Sequence, residues 1–124
     1  MAAAVEGPPE GYRGYGHCWV KNLGDGTARI GLDRDFAGTV GTPEDLELPQ
    51  TGDFLEQGSA CLKLESADGR SHVLWTPVSG TVIEVNTALT YDAAKAVNDP
   101  YGEGWLLRIE SGNLDEELKG LAED

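Results

Sequence analysis

From Ala60 to Ser66 the chain alternates apolar and polar residues ahead of an Asp68-Gly69 dipeptide, and no other feature restricts the fold as strongly. In Ala60-Cys-Leu-Lys-Leu-Glu-Ser66, Leu62 and Leu64 fall on one face and Cys61, Lys63 and Glu65 on the other, the period of a half-buried strand. Asp-Gly is the dipeptide favoured by a two-residue hairpin turn, whose central positions both want positive φ, so residues 71–76 are predicted to return antiparallel. Further short strands are predicted over residues 18–21, 27–32, 46–48, 81–85 and 104–109, with turns at 22–26, 51–53, around Gly58 and at Pro77-Val-Ser-Gly80. Asp33 is placed to cap a helix over 34–39 that ends at Gly41, and 93–97 reads as a second short helix. Leu114, Leu118 and Leu121 define one apolar stripe, predicting a C-terminal amphipathic helix after Asn113. Many short strands with closely spaced turns imply a mainly β sandwich or barrel carrying small helices.

The chain's 124 residues suit one domain, and a hydrophobic share of 40% is enough for a core. Residues 1–16 contain Gly7, Pro8, Pro9, Gly11, Gly14 and Gly16, so they are predicted to form a flexible arm ahead of a domain spanning 17–124. With 22 acidic against 9 basic side chains the formal net charge is −13, which makes nucleic acid and anionic membrane surfaces poor partners. The opening Met1-Ala-Ala-Ala-Val5 lacks a basic flank and no apolar run is long enough to span a bilayer, so the chain is expected to be cytoplasmic. The acids Glu44, Asp45, Glu47, Asp53 and Glu56 form a base-free stretch suited to a solvated face or to steering a basic partner.

No phosphate loop, nucleotide-binding glycine pattern, nucleophile elbow or His-Glu-x-x-His occurs, and the chain is not expected to be an enzyme. His17, Cys18, Cys61 and His72 are the soft donors, but they lack the paired short spacings of a zinc site, so no metal is expected. Trp19 and Trp105 are predicted to be core residues and Trp75 to straddle core and surface.

Taken in order, His17-Cys-Trp-Val20, Leu46-Glu-Leu-Pro49 followed by Gly52, Leu64-Glu-Ser66, Pro77-Val-Ser-Gly80, Val82-Ile-Glu-Val-Asn86 and Asn98-Asp-Pro-Tyr-Gly-Glu-Gly-Trp105 resemble the glycine cleavage system H protein family. The resemblance runs from His17 to Leu121. It implies a barrel-sandwich hybrid, a flattened β-barrel of lipoyl-domain type with a protruding hairpin, whose tip lysine carries lipoate through an amide bond.

The family reads Glu-Ser-Val-Lys-Ala at that tip, whereas this chain reads Glu65-Ser-Ala-Asp-Gly-Arg70, with about one more residue before Pro77. Asp68 stands at the position of the family's lipoyl-lysine, Arg70 is a poor nucleophile, and Lys63 lies roughly 16 Å back along the strand. Cys18 replaces a family glutamate close to where the loaded arm docks. Gly41-Thr-Pro-Glu-Asp45 stands where a hydrophobic strand is usual, and Asp33-Arg-Asp-Phe-Ala37 alters the family's helix. The expectation is therefore a non-catalytic protein-binding or scaffold module without lipoate, binding through Cys18, Glu65, Ala67, Asp68, Gly69 and Arg70. The alternative is a covalent group carrier attached at Cys18, Cys61 or Lys63.

Overall fold

The computed structural model of the chain describes residues 12–15, 18–40, 42–112, 114–119 and 122–123. Its strands are β1 (Tyr12–Tyr15), β2 (Cys18–Asn22), β3 (Thr27–Leu32), β4 (Pro43–Glu47), β5 (Phe54–Leu55), β6 (Ala60–Ser66), β7 (Ser71–Trp75), β8 (Gly80–Val85), β9 (Leu107–Glu110) and β10 (Ala122–Glu123). Three helices, α1 (Arg34–Val40), α2 (Lys95–Asn98) and α3 (Leu114–Lys119), join a 3₁₀ turn at Thr87–Thr90. The strands form two antiparallel sheets, one ordered β10-β1-β2-β3-β9-β8-β5 and one ordered β4-β6-β7. The mainly β reading holds, but the barrel is not closed: no strand pairing among the described residues joins the two sheets.

The core lies between the sheets. Cys18 and Val20 of β2, Ala28, Ile30 and Leu32 of β3, and Leu107 and Ile109 of β9 alternate inward from the larger sheet. Leu62 and Leu64 of β6 and Leu74 of β7 project from the smaller one. Asp33 caps α1 as expected, its Oδ1 accepting the Phe36 N–H at 2.8 Å. Leu114 and Leu118 of α3 reach the core, whereas Asn113 and Leu121, on which the helix expectation also rested, lie outside the described residues.

Two expectations change. Tyr12–Tyr15, read as part of a loose arm, forms β1 and pairs along its whole length with β2 and at Arg13 and Gly14 with β10. Local glycines lower strand propensity, but two flanking strands supply the missing backbone partners. Cys61, read as outward-facing beside Lys63 and Glu65, is buried in the core. The β6–β7 register shifts between Ala60 and Leu62, and this bulge breaks the strict alternation at Cys61.

The loop from Asp99 to Trp105 folds over the outer side of the larger sheet. Trp19 donates from Nε1 to the Pro100 carbonyl at 2.8 Å and stacks 5.7 Å from the Tyr101 ring. Asn86 Nδ2 donates to the carbonyls of Glu103 and Trp105, both at 2.8 Å. Gly104 sits so tightly that an added Cβ would lie 2.0 Å from the Lys95 carbonyl oxygen. These contacts explain why the Trp19, Asn86 and Asn98-to-Trp105 motifs occur together. Trp105, predicted to be core, is only half-buried and lies under the Arg29 guanidinium, 5.0 Å from its ring centroid.

Candidate site at the β6–β7 hairpin tip

The β6–β7 hairpin is held by pairs from Ala60↔Trp75 to Glu65↔Ser71. Beyond them the Ser66 N–H donates to the Arg70 carbonyl at 2.9 Å, and the Gly69 N–H donates to the Ser66 carbonyl at 3.0 Å. The second bond makes Ala67 and Asp68 the central residues of the turn, and Gly69 follows at φ 88°. The tip is thus a three-residue loop with glycine in the left-handed region, not the two-residue turn centred on Asp68-Gly69 that the sequence predicts.

Ser66 and Thr42 account for the difference. Ser66, which is buried, donates from its hydroxyl to Asp68 Oδ1. Asp68 Oδ1 also accepts the Arg70 N–H at 3.2 Å, while Arg70 Nε lies 3.5 Å from Oδ2. The Ala67 N–H donates to the Thr42 carbonyl at 2.8 Å, which ties the tip to the segment entering β4. Ser66 figures in the sequence only within the Leu64-Glu-Ser66 motif, with no role assigned in the turn; its position two residues before an aspartate in a turn is the available signal.

The Ser66 hydroxyl, then the Arg70 N–H and the Arg70 charge, hold the Asp68 carboxyl below the usual carboxylate range. A depressed folded-state pKa adds stability that is complete above the unfolded pKa and is lost as pH falls through the folded value. Acid titration of the wild type against Asp68→Asn by circular dichroism is expected to show the pH dependence of the wild type exceeding that of the variant below the normal aspartate range. Above that range the two curves should run parallel.

The structure gathers Glu65, Ala67, Asp68, Gly69 and Arg70 on one exposed projection. Glu65 pairs with Asp45 on one side and Ser71 on the other. Cys18 does not share that surface. It is fully buried beside Cys61, and the Cys61 thiol and burial push its own pKa up, keeping it protonated. Cys61 is only 7% exposed, so neither sulfur has the solvent access that a carrier cysteine needs. Lys63 is exposed, yet it sits in mid-sheet between Glu47 and Val73. His72 packs edge-on against Phe36 at 5.3 Å, and His17 lies outside the described residues. Among the described residues no group of three or more His, Cys, Asp or Glu side chains is arranged to hold a metal ion.

At the other end of β7 the Pro77-to-Gly80 turn is anchored by α3, because Ser79 donates from its N–H to Glu117 Oε1 and from its Oγ to Glu117 Oε2, both at 2.7 Å. α3 therefore braces the entry to β8, a contact that the local sequence does not announce. No helix among the described residues is long and apolar enough to cross a membrane.

A family model described as Glycine cleavage H-protein matches residues 12–124. The chain belongs to the glycine cleavage H-protein family. It is 41% identical over 105 residues to a probable glycine cleavage system H protein of Pyrococcus furiosus, covering 85% of this chain and 77% of that one. It is 37% identical over 111 residues to the glycine cleavage system H protein of Pseudoalteromonas translucida, covering 87% and 84%. The crystal structure of a glycine cleavage system H protein from Mycobacterium marinum superposes with a TM-score of 0.77 at 30% identity, covering 84% of this chain and 86% of that one. H proteins are lipoate carriers that work with other proteins and are not themselves enzymes.

Proposed function

We propose that this chain is an H-protein-family module that carries no lipoate and acts in the cytoplasm by binding another protein. One observation carries the proposal: the hairpin tip presents the Asp68 carboxylate where the family's attachment requires a primary amine. Lipoate is joined through an amide, and the tip residues Ala67, Asp68, Gly69 and Arg70 offer no amine that can form one, so they do not fit the group. Lys63 is set back from the tip within the three-stranded sheet, away from the turn that a modifying enzyme would approach. The retained scaffold motifs and the 22 acidic side chains suit a docking role toward a basic partner.

The test is an intact-mass measurement on the full chain coexpressed with a lipoate ligase and an authentic H protein as positive control. The expected spectrum shows the control modified and this chain at its unmodified mass. A lipoyl adduct on this chain overturns the proposal.

A further inference from the structure

The larger sheet carries a row of cations on its outer face. Lys21 of β2, Arg29 of β3 and Arg108 of β9 stand directly opposite one another across three strands. Their chain neighbours Val20, Ala28, Ile30, Leu107 and Ile109 are buried in the core, so the three basic side chains share the other face. Like charges so placed are unfavourable unless each finds a counter-charge. Arg108 finds two, Glu84 at 3.2 Å and Asp25 at 3.9 Å. Arg29 finds none. Among the described residues no carboxylate lies within ion-pair distance of its guanidinium, and its buried Nε has no acceptor. Leaving a desolvated guanidinium N–H unmatched is costly, the more notably in a chain with 22 acidic side chains.

Arg29 borders a cleft of about 390 Å³ between the sheet and the 99–105 loop, a volume suited to a small ligand. Trp105 lies against the guanidinium at 5.0 Å, and Tyr101 contributes a second aromatic wall. The other charges along the cleft are already engaged. Lys95 pairs with Glu103 at 3.6 Å. The Asp99 carboxylate folds into its own loop, where Oδ2 accepts the Glu103 N–H at 3.0 Å. Its two oxygens would lie 2.6 and 2.8 Å from a Cβ added at Gly102, which confirms how closely it is held there. One positive charge beside flat apolar surface is left over.

We propose that this cleft binds a small monocarboxylic acid with a planar body, its carboxylate paired with Arg29 and its plane set against Trp105 and Tyr101. The single unmatched charge selects a monoanion, and the guanidinium fork matches the two oxygens of a carboxylate. The aromatic walls select a flat, apolar body. A net charge of −13 does not keep an anion out, because charges beyond about 8 Å are screened at physiological ionic strength. The cleft lies on the larger sheet, whereas the hairpin tip belongs to the smaller one. The inference therefore adds a small-molecule site to the protein-binding reading and does not depend on it.

The isotopically labelled full chain is titrated with benzoate and followed by heteronuclear NMR. The Arg29 Nε–H and Trp105 indole N–H signals are expected to shift together and saturate, with a Kd of about 1 mM or tighter for so small a ligand. Benzamide, which keeps the ring and lacks the charge, binds at least about tenfold more weakly. Arg29→Gln abolishes the saturable response, while an unmoved Trp19 indole signal shows the loop still in place. Arg29→Lys keeps the charge, loses the fork and weakens binding about tenfold. A response that does not saturate, equal binding of benzamide or benzylammonium, or a benzoate response that survives Arg29→Gln each overturns the proposal. Inorganic phosphate binding as tightly as benzoate overturns the carboxylate assignment. The comparison of ligands on the wild type decides the matter even where a variant fails to fold.

Discussion

Trp19→Ala is expected to destabilise the chain by about 3–5 kcal/mol, the range for deleting a large buried aromatic side chain. Trp19 is 0% exposed although it lies on the outer face of β2, because Gly31 beneath it and the 99–105 loop above it enclose the indole. A Cβ added at Gly31 would lie 2.5 Å from the indole carbons, so ring and backbone are already in contact. Truncation leaves a void that neither sheet nor loop can close without moving. It also frees the Pro100 carbonyl, whose bond to Nε1 holds the loop down. Trp19→Phe fills most of the void but cannot restore the bond, so its loss should be distinctly smaller. Urea unfolding followed by circular dichroism ranks the three proteins, and equal stability of Trp19→Ala and wild type would refute this account of the loop.

The contrast between Trp19 and Cys61 shows what the sequence can and cannot disclose. The alternation in Ala60 to Ser66 predicts strand β6 and the inward direction of Leu62 and Leu64, because a period of two is local. It misplaces Cys61, because the bulge that turns it inward arises in pairing with β7. Trp19 is legible as core from its size alone, but the loop that covers it is 81 residues away in sequence.

Strand order is harder still. β9 lies between β3 and β8, and β1 gains its second partner only from β10 at the far end of the chain. Such pairings follow from global packing, and a segment interrupted by Gly11, Gly14 and Gly16 is read as coil until its neighbours are known. At the hairpin tip the residues were legible and the geometry was not. Asp68-Gly69 announces a turn, but the Ser66 hydroxyl and the Thr42 carbonyl select the three-residue form. The carboxylate at the tip, by contrast, is read directly from Asp68 in the sequence.

That distinction makes Asp68→Lys the most informative single substitution. It is expected to convert the chain from one with no lipoyl adduct into one that a lipoate ligase modifies, read as a new intact mass with the adduct mapped to residue 68. The position is exposed, and the loop stays closed through the Ser66–Arg70 and Ser66–Gly69 backbone bonds, which do not involve the lost carboxylate. A lysine there projects its amine from an exposed turn that follows Glu65-Ser66. Arg70, which now pairs with Asp68, is left free and adds local positive charge, so Asp68→Lys with Arg70→Ala should be modified at least as readily. If both variants stay at unmodified mass while an H protein in the same cells is fully lipoylated, the extra residue in the hairpin, and not only its missing amine, closes this tip to the modifying enzyme. If the wild type itself gains the adduct, at Lys63 or elsewhere, the tip carboxylate has no bearing on what the protein carries.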